Sequence, residues 1–125
     1  MHRKLAASLL TAALIYTIGV SAHHSFAAYD MKHSVTFVGV VDTVKFRNPH
    51  IAMTLKVTDG NGEERIIHFV EGAPANMLVR MGLKPSYVKA GTKITAIGAP
   101  RKDNPNEYFL KTIILPDGRK FQSLK

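Results

Sequence analysis

The stretch "SVTFVGVVDTVKF", residues 34–46, is dense in valine, phenylalanine and threonine, the side chains that suit a pleated, half-buried surface. Gly39 sits inside it, and a glycine within such a run marks a bulge or a sharp bend. A long, bent first strand is therefore expected here. On its C-terminal side "RNPH", 47–50, is turn chemistry: Pro49 holds Asn48 extended, and the Asn48 side chain is suited to hydrogen-bonding back onto nearby backbone. A second strand opens at His50. In "HIAMTLKV" the residues Ile51, Met53, Leu55 and Val57 alternate with His50, Ala52, Thr54 and Lys56, the period of two that a half-buried strand requires, with His50 on the more polar face.

Further along, "TDGNG", 58–62, is a hairpin turn, and "EERIIHFVE", 63–71, is a third strand whose apolar residues fall on both faces. The period then changes. Met77, Leu78 and Met81 in "APANMLVRMG", 73–82, have helical spacing, with Pro74 acceptable in a first turn and Gly82 as the stop. "GTKITAIG", 91–98, and "EYFLKTIIL", 107–115, are two more strands around the polar loop "APRKDNPN", and "PDGRK" is a last turn. The order is three strands, one short helix and two strands. It predicts a mainly β chain folded as a small five-stranded OB-fold-like barrel with the helix between strands 3 and 4; closing the sheet removes the edges that a small β protein must protect.

Residues 1–22 have a basic start (His2, Arg3, Lys4), an uncharged apolar run from Leu5 to Val20 and the small-residue ending Val20-Ser21-Ala22. That is the layout of a secretory signal peptide, with its apolar run forming the leader's helix, too short for a membrane span. Cleavage after Ala22, with Val20 and Ala22 as the small residues, makes His23 the amino terminus; the alternative, after Ala27, uses Ser25 and Ala27 and removes both histidines. The expected organisation is a leader at 1–22, an extended N-terminal arm at 23–33 and the barrel at 34–125, in the periplasm of a bacterium. The mature chain has no transmembrane segment in this reading.

The formal charge of +8 falls to +6 when Arg3 and Lys4 leave with the leader. Acidic residues interrupt the remaining basic ones, and only the pairs at 101–102 and 119–120 stand out, so the surface reads as solvated and not as a nucleic-acid footprint. No cysteine is present, which excludes disulfides, thiolate metal sites and cysteine nucleophiles.

Of the six histidines, His23, His24, His33, His50 and His68 lie beyond the leader. With His23 at the terminus, its α-amine and ring Nδ1 can chelate one metal ion, and a third nitrogen from the folded domain completes the T-shaped or square-planar geometry that Cu(II) prefers. His50, held by the Asn48-Pro49 turn at a barrel rim, is the candidate third ligand. In a second version His24 binds through the terminal amine, its own amide and its ring. The candidate metal set is thus His23, His24 and His50, with copper as the ion. The alternative is an exposed arm with incidental histidines and a His50 that caps a turn. His33 and His68 read as surface or satisfied core residues.

Nothing else resembles a catalytic centre. Ser25 beside His24 has no nucleophile elbow, Asp30 and Glu71 have no paired carboxylate in view, and Gly60 and Gly62 belong to a hairpin. Met53, Met77 and Met81 read as core filler, and Tyr29, Tyr87 and Tyr108 as packing. The expectation is binding, of a metal ion or an envelope protein, without catalysis.

"AHHSF" after the leader (His23, His24, Ser25, Phe26), Gly39 in the first strand, Asn48-Pro49-His50 at the first turn, then Glu71, Pro74, Leu78, Arg80 and Gly82, resemble an uncharacterised family of short exported bacterial proteins. The resemblance spans nearly all of the mature chain and implies an exported OB-type barrel without supplying a reaction. Members commonly carry tryptophan near the third strand and after the helix; this chain has Ile67 and His68 in one place and Leu83 in the other, and no tryptophan at all.

Overall fold

The structure is a computed structural model, and it describes residues 26–124. The expected leader, His23 and His24 lie outside the described residues. The described chain runs β1 (Val35–Lys45), β2 (Ala52–Thr58), β3 (Glu64–Glu71), helix α1 (Ala75–Arg80), a 3-10 turn (Pro85–Val88), β4 (Lys93–Pro100), β5 (Glu107–Ile114) and β6 (Lys120–Gln122). The sheet order is β3-β2-β1-β4-β5-β6, and a parallel pairing of β3 with β5 closes the first five strands into a barrel. The strand count and the helix position expected from the sequence are both present. Strand β6, which the sequence reading did not include after the turn at 116–120, adds to the free edge of β5 and buries Phe121.

Alternation builds the core. Met53 and Leu55 on β2, and Ile67 and Phe69 on β3, point inward and are buried, as the period of two requires. Strand β1 turns Phe37 and Val41 inward, then slips register between Val41 and Thr43, so that the next inward residue is Val44. The bulge is therefore at Asp42 and not at the glycine. Gly39 does something else: a Cβ there would stand 2.3 Å from the Lys56 carbonyl oxygen on β2, so the glycine allows β1 to be crossed closely where it turns from one partner strand to the other.

Helix α1 and the 3-10 turn plug one end of the barrel with Leu78 and Val88. The helix stops in a Schellman arrangement: the Gly82 and Leu83 amides donate to the carbonyls of Val79 and Leu78, and Gly82 has φ of +96°. Leu83 then drops into the core, while Met81, expected there from its spacing, stays exposed on the last turn.

The described part of the 23–33 segment is not a free extended arm. Phe26 and Ala27 form a helical turn, Tyr29 bridges to Arg101, the Asp30 amide donates to the Pro100 carbonyl, and the Lys102 amide donates to that of Ala28. Tyr29, Ala99 and Phe109 make a small second core on the outside of β4 and β5, with Phe26 and Tyr29 each 5.5 Å from the Phe109 ring. Lys111 fastens the segment from the barrel side through the Met31 carbonyl and Ser34 Oγ. Among the described residues no helix is long and apolar enough to cross a membrane.

A candidate cation site at His50 and Glu71

His50 precedes β2, which begins at Ala52. What holds it is the docking of residues 47–51 against 72–76. The Ile51 amide donates to the Ala73 carbonyl at 3.0 Å, and the Ala75 amide donates to the Arg47 carbonyl at 3.2 Å. Asn48 Oδ1 accepts from the Asn76 amide at 3.0 Å. Pro74, the N-cap of α1, has no side-chain oxygen to offer the free amides of the first turn, so Asn48 supplies that cap from a distant loop. The sequence reading had Asn48 bonding locally; its partner lies 28 residues away. The Asn48–Pro49 bond is cis.

His50 Nδ1 lies 2.9 Å from the Gly72 carbonyl oxygen. Only a protonated Nδ1 can bond to a carbonyl, so this contact assigns the tautomer and orients the ring, leaving Nε2 to face the site. Gly72 is needed for the approach: a Cβ there would stand 3.0 Å from Ile51 Cγ1 and 3.3 Å from Leu110 Cβ.

Nε2 stands 3.3 Å from Glu71 Oε1. The pair is within ion-pairing range, yet it does not align as a hydrogen bond, and Oε1 is a buried oxygen with no hydrogen-bond donor. The other carboxylate oxygen, Oε2, accepts from Tyr29 Oη at 3.2 Å. Tyr29 is buried in the second core, and its hydroxyl is pushed up to about 12 by that burial first and by the adjacent Glu71 carboxylate second. The Glu71 side chain is 16% exposed and that of His50 is 43% exposed, so the pair has one buried member and one open to solvent.

Two hollows meet at His50. One, of about 560 Å³, is open and polar, with Arg47, Asn48 and Glu71 in its wall. The other, of about 200 Å³, is apolar, with Phe26, Met77 and Phe109 among its lining residues. His50 therefore stands between a polar cleft and an apolar cavity, and Phe26 brings the N-terminal segment to the second of these.

Of the expected metal set, His50 is at a barrel rim as anticipated, while His23 and His24 lie outside the described residues. Among the described residues no three His, Asp or Glu side chains converge as a ready metal site. His33 is exposed and bonds to Asp30, whose carboxyl is lowered by that hydrogen bond. His68 points outward from β3, beside Thr43, Lys45 and Thr54. The sequence reading missed Glu71 as the neighbour of His50 and Tyr29 as the partner of Glu71. Glu71 was within reach as a signal, since a carboxylate at the end of an apolar strand, next to a glycine and a proline, marks a strand terminus where a side chain can turn across the barrel rim.

The chain belongs to the family of unknown function (DUF6152), whose model matches residues 12–108. The match takes in the docked N-terminal segment, the 47–51 loop and Glu71 alike. No curated protein and no solved structure matches the chain.

Proposed function

We propose that this DUF6152 barrel is an exported, periplasmic binding protein that takes up Cu(II) through a processed amino terminus and His50, and that it does not catalyse a reaction. The barrel is OB-type in this reading, supported by the β1-β2-β3-β5-β4 closure and by α1 between β3 and β4. The observation that carries the metal reading is the setting of His50. Its Nδ1–H is committed to the Gly72 carbonyl, the arrangement in which metal-ligating histidines are oriented by a backbone acceptor on the far nitrogen. Reach supports the rest. Phe26 lines the same cavity as His50, and three residues of chain span up to about 10 Å, so the amine and ring of His23 can be delivered to Nε2. The His23 α-amine and ring with the His50 ring form a donor set that suits Cu(II), and in the second version the terminal amine, the His24 amide and the His24 ring form another.

The test is titration of the secreted protein with Cu(II), after mass spectrometry has established that it begins at His23. One tight site is expected, lost in His23→Ala, weakened in His50→Ala, and lost when a single extra residue precedes His23 and carries the amine out of reach. Binding that survives all three changes overturns the reading.

A second reading, a module that binds a small apolar ligand or an envelope protein, draws on the 200 Å³ apolar cavity beside His50. It predicts binding that is indifferent to copper and blocked by Met77→Trp.

A further inference from the structure

We infer that Glu71 is itself a metal ligand, its Oε1 pairing with His50 Nε2 to present one carboxylate and one imidazole to the same ion, with Tyr29 as the positioning residue behind it. This deepens the metal reading above and rests on His50 being a ligand in it.

Three observations carry it. First, Oε1 is buried without a donor. A buried carboxylate oxygen in ion-pair range of His50 Nε2 but without a hydrogen bond is expensive, by about 1–3 kcal/mol or more, and such atoms persist in native proteins where a cation, a water or a function accounts for them. Second, the spacing is right for a shared ion. Two ligands each about 2.0–2.2 Å from one metal stand roughly 2.8–3.6 Å apart for angles between about 90° and 110°, and Nε2 and Oε1 are 3.3 Å apart. The separation is that of two ligands to one ion. Third, both candidate ligands already have their outer partners: Gly72 O on His50 Nδ1, and Tyr29 Oη on Glu71 Oε2. Those are the second contacts that fix a ligand's direction and leave one lone pair aimed inward.

A carboxylate also changes the class of ion that fits. An imidazole and a carboxylate together favour borderline divalent ions over Cu(I), which prefers thiolate and thioether donors. The site then prefers Cu(II) to Cu(I).

The experiment uses the secreted protein, titrated calorimetrically with Cu(II) alone and followed by electron paramagnetic resonance. Glu71→Gln is expected to lose at least about tenfold in Cu(II) affinity and to change the Cu(II) spectrum, while the metal-free variant melts no lower than wild type because the carboxamide NH2, placed where Oε1 stood, can donate to His50 Nε2. A carboxylate with a purely structural role would give the reverse, a lower melting temperature and unchanged affinity, and that result overturns the proposal. If Glu71→Gln fails to fold, the wild-type protein still decides the matter: a carboxylate stretching band shifts in the infrared difference spectrum between copper-loaded and metal-free protein, and no shift overturns it. The one-residue N-terminal extension separates the two proposals. Affinity lost on extension but retained in Glu71→Gln leaves the terminal chelate standing and removes Glu71. Affinity retained on extension but lost in Glu71→Gln does the opposite, and no Cu(II) binding in any form removes both.

Discussion

The barrel interior and the His50–Glu71 corner are built on opposite rules. Inside, Val41, Leu55, Phe69 and Ile94 are fully buried, and Thr112 is the one buried polar residue among the described core positions. Apart from Thr112, the side chains buried there are apolar or aromatic, and burial of that surface accounts for them. At the corner, a carboxylate is buried beside an imidazole with one oxygen unpaired, and four separate hydrogen bonds from residues 47–51 to 72–76 are used to keep the pair in place. Stability alone would have put a glutamine or an apolar residue at position 71. The difference teaches where to look for function in a small barrel: at the place where the chain spends structure on holding a polar group it could have done without.

The contrast can be broken by mutation. Phe69→Ala should destabilise the fold most, by about 3–5 kcal/mol, through the cavity left against Phe37 and Tyr108; denaturant unfolding measures it, and a loss well under 1 kcal/mol would mean that the barrel is not packed as described. Tyr29→Phe should cost about 1–3 kcal/mol, because Glu71 then has neither oxygen satisfied. Combined with Glu71→Gln that loss should shrink, and a double-mutant cycle without coupling would separate the two residues. Asn48→Ala should cost about 1 kcal/mol by uncapping α1 from outside, and should weaken Cu(II) binding as His50 loses its support. Glu71→Gln closes the series with a change near zero or slightly favourable.

A titration with base sharpens the same comparison without mutation. The Tyr29 hydroxyl has a folded value of about 12 against an ordinary value of 10. A raised value means that the protonated form is favoured in the fold, so the stability it contributes is whole below pH 10 and is lost as pH rises from 10 towards 12. Tyr87 moves the other way, lowered first by the Arg119 guanidinium, which lies 4.5 Å from its ring centre. Absorbance of tyrosinate should therefore show Tyr87 ionising early and Tyr29 last, with the late step coinciding with unfolding and absent in Tyr29→Phe. Simultaneous ionisation of both would place Tyr29 in water and not against Glu71.

Much of the architecture was legible. The alternation of Ile51, Met53, Leu55 and Val57 named one face of β2 correctly, the Asp59–Gly62 turn was visible as dipeptides, and Gly82 marked the helix end. Each of these is a local property, decided by residues within a few positions. The bulge was misplaced at Gly39 because a glycine and a bulge both interrupt a pleat; only the pairing partners show that Asp42 slips register while Gly39 makes room for Lys56. Strand β6 goes unread beyond the 116–120 turn because its three residues carry no period of their own and become a strand only where β5 offers an unpaired edge.

The linear chain by itself determined the five strands, the short helix between the third and fourth, and the choice of His50 as a residue worth watching, because periodicity and turn chemistry act over a few residues at a time. Only the folded structure decided that Asn48 caps a helix 28 residues away, that Gly72 sets the ring of His50, and that Glu71 and Tyr29 stand behind it. Those partners meet across a closed sheet. Which side chains face one another there depends on register and barrel closure, properties of the whole sheet that no short stretch of sequence contains.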